Sequence, residues 1–232
     1  MTINLLIYKN LPVLSQLQLE EALFLHNNEN WCILNYNTTP AIVLGSSNKP
    51  NDLINLKKVK ANKIPIIKRF TGGGTVFVDQ DTIFFSMILS KDLTKLHFPE
   101  QILRWLEEFF ISALKIKNFQ LLENDFIINN NKCCGNAQYI KKDKFLHHCS
   151  FLWDFSKKNM NDYLLLPKKI PQYRKKRSHD EFLCKLKDFI PSKLLFLDLI
   201  KQELEKKFIV IETGLSGEIK NLMKKADRTT IL

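Results

Sequence analysis

The chain mixes short apolar runs with longer stretches whose apolar residues recur every three or four positions. Ile3 to Tyr8 is a run of the first kind and predicts a strand. Ser15 to His26 is of the second kind. Leu14, Leu17, Glu21 and Leu25 fall at helical spacing, and Leu19, Ala22 and Leu23 broaden the apolar face. Trp31 to Tyr36 and Ala41 to Leu44 predict strands around the polar turn Asn37-Thr38-Thr39-Pro40, and Gly45 follows the second. Leu53, Leu56 and Val59 predict a short helix over 51–61. Pro65 to Lys68, Thr75 to Asp79 and Ile83 to Leu89 read as strands.

The strongest helical period lies over 99–117, carried by Ile102, Leu106, Phe109, Phe110, Ala113 and Leu114. Pro99 suits its first position and Glu100 its first turn. Four strands follow, at 119–122, 126–129, 133–140 and 145–155. Asn129-Asn130-Asn131 and Lys141-Lys142-Asp143-Lys144 make turns, the second closing a hairpin. Residues 178–189, opened by Ser178 and Asp180, and 191–207 predict two helices, and 208–212 a strand. The pattern gives no clear element over 213–232. Strands come in pairs with helices between them, which predicts an α+β fold rather than a doubly wound parallel sheet.

With 232 residues, 45% of them hydrophobic, one domain can bury a substantial core. Runs such as Leu194-Leu195-Phe196-Leu197 are far too short to span a bilayer. The start, Met1-Thr2-Ile3-Asn4, shows neither a signal-peptide nor a transit-peptide pattern, so a cytoplasmic protein is expected. The five cysteines, Cys32, Cys133, Cys134, Cys149 and Cys184, include no C-x-x-C pair, which argues against a disulfide framework or a zinc knuckle. The net charge of +11 suits nucleic acid, an anionic membrane, an acidic protein or an anionic substrate, and equally a solvated surface.

Three of the seven glycines are consecutive, Gly72-Gly73-Gly74, between two apolar strands and after Lys68-Arg69. Glycines are placed where a chain must turn tightly or touch a ligand. Amides of such a loop can face an anion that an adjacent arginine also holds. The alternative is a mobile hairpin turn. Neither the Gly-Lys-Ser/Thr of a Walker loop nor the G-x-G-x-x-G of a dinucleotide site is present.

A second constellation runs through Glu123-Asn124-Asp125, Lys132-Cys133-Cys134-Gly135-Asn136-Ala137-Gln138 and His147-His148-Cys149-Ser150. Lys132 at the start of a strand can reach a phosphate or carbonyl, or lie on the surface. Adjacent residues of a strand face opposite ways, so His147 and His148 cannot easily serve one metal. The cysteines read as nucleophiles or as small buried hydrophobes. Pro171-Gln172-Tyr173-Arg174-Lys175-Lys176-Arg177-Ser178-His179 is a basic loop, either solvated or anion-binding.

Together these stretches resemble the lipoate-protein ligase A family. That family shows a run like R-R-x-S-G-G-G-x-V-F-H-D, then N-D, K-x-x-G-x-A and H-H-G-T-L-L. The matching stretches here are Lys68 to Asp79, Asn124-Asp125, Lys132 to Ala137 and His147 to Leu152. A compact plant-type and bacterial subgroup extends the match through Ser150-Phe151-Leu152-Trp153-Asp154 and Pro171-Gln172-Tyr173-Arg174.

The resemblance implies a mixed β-sheet flanked by helices, the catalytic-domain fold of biotin and lipoate protein ligases, which is class II aminoacyl-tRNA-synthetase-like. It implies one such domain over 1–232, without the full C-terminal accessory domain, which a partner would supply in trans. It also implies a tunnel for an acyl chain. ATP, magnesium and lipoate or octanoate are the implied substrates and ion, with no permanently bound cofactor. Acidic lipoyl domains of 2-oxoacid dehydrogenase or glycine cleavage proteins are the implied acceptors. By carry-over, Lys132 is the catalytic residue. Arg69, Gly72, Gly73, Gly74, Thr75, Val76 and Phe77 meet the nucleotide and phosphate, as do Asn124 and Asp125, and Asp125 is the candidate to meet magnesium. Gly135, Asn136, Ala137 and His148 line the acyl pocket. The chain departs from the pattern at Lys68, Val78, Asp81-Thr82 and Cys149. A transferase working through a cysteine thioester without ATP is the alternative, and a basic nucleic-acid-binding protein the alternative of another class.

Overall fold

The computed structural model describes residues 1–166 and 170–232. The chain opens with strand β1 (Thr2–Lys9), helix α1 (Val13–His26), and strands β2 (Trp31–Tyr36) and β3 (Ala41–Leu44). The turn between β2 and β3 does not make a hairpin, because β3 leaves for a second sheet. The helix expected over 51–61 is two, α2 (Pro50–Leu53) and α3 (Leu56–Ala61). Ile54 between them bridges to Leu164, and Asn55 caps the second by accepting from the Lys58 N–H. Two tertiary backbone contacts, at Ile54 and at the Asn55 N–H on the Tyr163 carbonyl, outweigh helical continuity.

β4 (Ile66–Lys68) leads to the glycine run, followed by β5 (Val76–Val78), β6 (Thr82–Ser90) and a single turn, α4 (Lys91–Thr94). Helix α5 (Pro99–Leu114) begins as expected but stops at Leu114, where Lys115 turns left-handed at φ 52°. Strands β7 (Phe119–Leu122), β8 (Asp125–Ile128), β9 (Asn131–Lys132), β10 (Cys134–Ile140) and β11 (Lys144–Leu152) follow, with β10 and β11 forming the expected hairpin. β11 ends at Leu152 instead of 155, since the Trp153 N–H turns to the Asp81 carbonyl.

Next come α6 (Lys157–Tyr163), which the pattern did not predict, and α7 (His179–Phe182). α7 is one turn of the helix expected over 178–189. Ser178 and Glu181 form its capping box, while the contribution expected of Asp180 lies outside the described residues. The turn breaks because Leu183 bridges to Lys132 and the Cys184 N–H donates to the Lys132 carbonyl. Helix α8 (Lys193–Lys207), capped by Ser192, and strand β12 (Ile209–Glu212) come out as expected. The unassigned tail holds α9 (Gly217–Met223) and β13 (Thr230–Ile231).

A mixed six-stranded sheet, ordered β10-β11-β6-β2-β1-β12, forms the centre, with β1 parallel to β2 and β12 and the other pairs antiparallel. Successive residues of its strands serve opposite faces. Leu5, Leu34 and Phe85 pack under α5 and α8, and Leu6, Ile33 and Ile88 under α1 and α9. A four-stranded sheet, β13-β4-β3-β5, and a three-stranded one, β7-β8-β9, stand beside it. This is the α+β arrangement of mixed sheets and flanking helices that the strand pairing predicts. No described helix is long and apolar enough to cross a membrane.

Candidate functional site

The glycine run does not close a hairpin. β4 and β5 flank β3 on opposite sides, one parallel and one antiparallel to it, so the connection crosses the end of β3. That end is Gly45, where a Cβ would lie 2.2 Å from the Gly73 carbonyl oxygen. Gly73 itself has φ +97°, and a Cβ on it would lie 2.7 Å from Arg69 Nη2 and 3.0 Å from Ala137 Cβ. Both positions require glycine, for close approach at Gly45 and for a left-handed backbone at Gly73. Gly72 and Gly74 have open space where a side chain would project.

Arg69 fastens the loop from inside. Its Nε donates to Thr71 Oγ1 at 2.9 Å and to the Gly72 carbonyl at 3.1 Å, and its Nη2 to the carbonyls of Gly72 and Gly74 at 2.8 and 3.0 Å. From the other side the Asn48 amide donates to the Gly73 carbonyl at 2.9 Å. Burial lowers the Arg69 pKa to about 10, which leaves it cationic at neutral pH.

Behind the loop lies a carboxylate that sequence reasoning missed. Glu20 on α1 is fully buried. Its Oε2 stands 2.7 Å from His148 Nδ1, and its Oε1 accepts from Ser86 Oγ at 2.5 Å and from Gln16 Nε2 at 2.9 Å. His148 Nε2 is 3.4 Å from Thr71 Oγ1, which closes the chain back to Arg69. Burial pushes the Glu20 carboxyl up. The His148 charge and the hydrogen bonds from His148, Ser86 and Gln16 outweigh it and hold the group below its ordinary value. The available signal was two adjacent acids, Glu20-Glu21, inside an apolar helix. Glu21, also buried, accepts the backbone N–H groups of Asp227, Arg228 and Thr229 and so seats the tail that adds β13 to β4.

Lys132 and Asp125 face one another across β8 and β9, with Nζ 2.6 Å from Oδ1. Tyr173 Oη donates to Asp125 Oδ2 at 2.9 Å, and the Tyr173 N–H donates to Glu123 Oε1 at 3.0 Å. Asn124 is tied in through its carbonyl, which accepts from the Asn136 amide at 2.9 Å. The basic loop thus folds onto the second constellation. Its Arg177 donates to the carbonyls of Asn130, Tyr173 and Arg174.

Two cavities meet at Lys132. The narrow one, about 100 Å³, has Leu17, Val43 and Phe84 among its walls, with Arg69, Asn136 and His148 at its polar side. The wide one, about 560 Å³, runs past Gly73, Phe77, Asn124 and Asp125 toward Met160 and Phe182. Gly74, Thr75, Val76, Lys132, Gly135 and Ser150 line both. Of the residues expected at the site, only Gly72 and Ala137 line neither. Gly72 gives its carbonyl to Arg69, and Ala137 packs on Gly73.

His147 and His148 do face opposite ways. His147 Nε2 is 3.2 Å from Cys149 Sγ, and burial lowers the His147 pKa to about 3, so the ring is neutral. Cys133, Cys134 and Cys149 are buried, and burial pushes the Cys133 and Cys149 thiols well up. Among the described residues no three His, Cys, Asp or Glu side chains converge to hold a metal ion. Val78, where the family pattern has histidine, is core, packed with Val13, Leu17 and Ala41.

Residues 12–209 match the family model of the lipoyl protein ligase A/B catalytic domain. A Plasmodium falciparum protein named inactive lipoate–protein ligase 2 is 35% identical over 193 residues, 68% of this chain and 50% of that protein, so the chain spans about half of its length. A lipoate-protein ligase A crystal structure bound with ATP superposes with a TM-score of 0.82 at 18% identity, covering 97% of this chain and 94% of the other. A bipartite lipoate protein ligase from Thermoplasma acidophilum, described with its E2 lipoyl domain, superposes at 0.78 with 19% identity, over 97% and 91%. The glycine run, the Lys132 strand and the paired histidines therefore lie in a chain that belongs to the lipoyl protein ligase A/B catalytic-domain family.

Proposed function

We propose that the chain is a lipoate-protein ligase, a single catalytic domain that joins lipoate or octanoate to AMP with ATP and passes the acyl group to a lysine of an acidic lipoyl domain. The observation that carries this reading is Lys132, which stands where a narrow cavity walled in part by Leu17, Val43 and Phe84 opens into a wide one that passes Asn124 and Asp125. The narrow cavity takes the acyl chain and the wide one the nucleotide. The acyl carboxylate and the α-phosphate then meet beside Lys132. Its charge offsets the negative charge that builds as carboxylate attacks phosphorus and, in the second step, as the acceptor amine attacks the carbonyl and AMP departs. Asp125 keeps Nζ in place, and the self-bonded glycine loop supplies a wall that need not reorganise.

Among the described residues no side chains form a metal cage. Magnesium arriving with the phosphates would take at most Asp125 or Glu123 from the chain, which agrees with the habit of that ion to bind through substrate oxygens. A partner that supplies the accessory domain in trans fits this reading, as does steering of acidic acceptors by the net charge of +11.

Cys149 favours a second reading. Cys149 is among the residues that line the narrow cavity, and its sulfur lies 3.2 Å from His147 Nε2, a pairing an acyl-thioester transferase would need. Burial of both groups and the neutral ring weigh against it. One assay separates the two. Purified chain, apo lipoyl domain and lipoate or octanoate are incubated with and without ATP, and the acceptor is weighed by mass spectrometry. Modification should require ATP, vanish in Lys132→Ala and survive in Cys149→Ala. ATP-independent transfer from an acyl carrier that Cys149→Ala abolishes would replace the ligase with the transferase.

A further inference from the structure

The basic loop holds a buried guanidinium that no carboxylate pairs with among the described residues. Arg174, on the 3-10 turn Gln172–Arg174, is only 4% exposed and lines the wide cavity. Its Nε donates to the Arg177 carbonyl at 2.9 Å, and the group lies 4.7 Å from the Phe182 ring centroid. Among the described residues its Nη2 is buried without a hydrogen-bond partner. A ring face offers a cation far less than an anion does, and a buried charge without an anion is strongly unfavourable. Asp125, on the same cavity wall, has one oxygen on Lys132 and the other on Tyr173, and Glu123 Oε1 accepts the Tyr173 N–H. The missing anion is therefore one that enters the cavity.

Resting on the ligase reading above, we propose that Arg174 binds a terminal phosphate oxyanion of the nucleoside triphosphate through its guanidinium. Phosphate rather than acyl carboxylate follows from position. The carboxylate and the α-phosphate must meet at Lys132, which lines both cavities, whereas Arg174 lines only the wide one. The phosphates beyond the α-phosphate extend into that space, and a fork of guanidinium donors matches their oxygens. As the carboxylate oxygen bonds to the α-phosphorus, the bond from that phosphorus to the bridging oxygen breaks. Its electron pair goes to the departing pyrophosphate, the group Arg174 holds.

Titrating ATP, AMP, inorganic pyrophosphate and lipoate into the wild-type chain, Arg174→Gln and Arg174→Lys by calorimetry tests this. Arg174→Gln should weaken ATP and pyrophosphate at least tenfold and raise the KM for ATP, while AMP and lipoate bind as in wild type. Arg174→Lys, which keeps the charge but not the fork, should fall between, and it carries the test if the glutamine variant does not fold. The proposal is overturned if ATP and pyrophosphate bind both variants as tightly as wild type, if lipoate or AMP weakens as much as ATP, or if wild type binds no pyrophosphate. Arg174-dependent pyrophosphate binding in a wild-type chain that forms no acyl-AMP would leave the anion site standing and remove the ligase reading.

Discussion

Arg69 and Arg174 are both buried guanidiniums at one site, 5% and 4% exposed, yet the chain treats them in opposite ways. Arg69 gives two of its nitrogens to Thr71 and to the carbonyls of Gly72 and Gly74, with Glu20 close enough to offset part of the cost of its burial. Among the described residues Arg174 keeps a buried nitrogen without a partner. The same contrast holds for the walls they belong to. The glycine wall is satisfied by its own backbone and by the Glu20–His148–Thr71 chain behind it. Among the described residues, the opposite wall, from Asp125 to Phe182, carries Lys132 on a single carboxylate and Arg174 on none. On the proposed function the first wall fixes the shape of the site, and the second leaves its charges for a ligand.

Removing the charge that backs the glycine wall is the hardest test of that division. Glu20→Gln leaves His148 without its carboxylate and Arg69 without the nearby negative charge, and should lower stability at pH 7 by about 3 kcal/mol. The folded pKa of Glu20 lies below its ordinary value of 4.5. The stability it contributes is therefore fully present above that value and is lost as pH falls through the folded pKa. Urea denaturation should show a large gap between wild type and variant at pH 7 that narrows toward pH 3. A gap independent of pH would mean that Glu20 acts through packing alone.

Gly45→Ala probes the same wall from its backbone side. The added carbon meets a carbonyl and not a flexible side-chain end, so the loop must move as a unit. A loss of about 2 kcal/mol is expected, with weaker binding of both lipoate and ATP, because the loop borders both cavities. Wild-type stability and binding in this variant would show that the glycine wall is less rigid than its hydrogen bonds imply.

The sequence carried the glycine wall better than the wall across from it. Periodicity placed β1, β2, β3 and β6 to within a residue or two, because each alternates between two apolar faces of one sheet or is buried on both. The triplet Gly72-Gly73-Gly74 was visible as a compositional event, but the need for Gly45 was not, since it arises from β3 lying between β4 and β5. Glu20 escaped because an acid in an apolar helix reads as a surface position until His148 and Ser86, 128 and 66 residues away, are brought to it. On the other wall, helical spacing over 178–189 gave way to backbone pairing with Lys132, a contact that no local pattern encodes. Tyr173 and Arg174 were read as part of a basic run. Their partner Asp125 and the cavity beside them exist only once β8 and the loop are folded together.

The gentlest change sharpens the comparison on the open wall. Tyr173→Phe removes the Oη donation to Asp125 and leaves the aromatic contact with Phe182, whose ring centroid lies 5.2 Å away. Among the described residues Asp125 then keeps Lys132 as its only side-chain partner. A hydrogen bond to a charged group is worth about 1.5 kcal/mol at the low end, so a loss of about tenfold is expected. If Asp125 is held by Tyr173 so that it can hold Lys132, the loss falls on kcat of acyl transfer, because Nζ is less well positioned as charge develops. Lipoate binding, which the proposed function assigns to the narrow cavity, should stay unchanged. A rise in the KM for lipoate with kcat intact would place Tyr173 at the mouth of the acyl site and not behind Lys132. The open wall would then be holding shape as the glycine wall does.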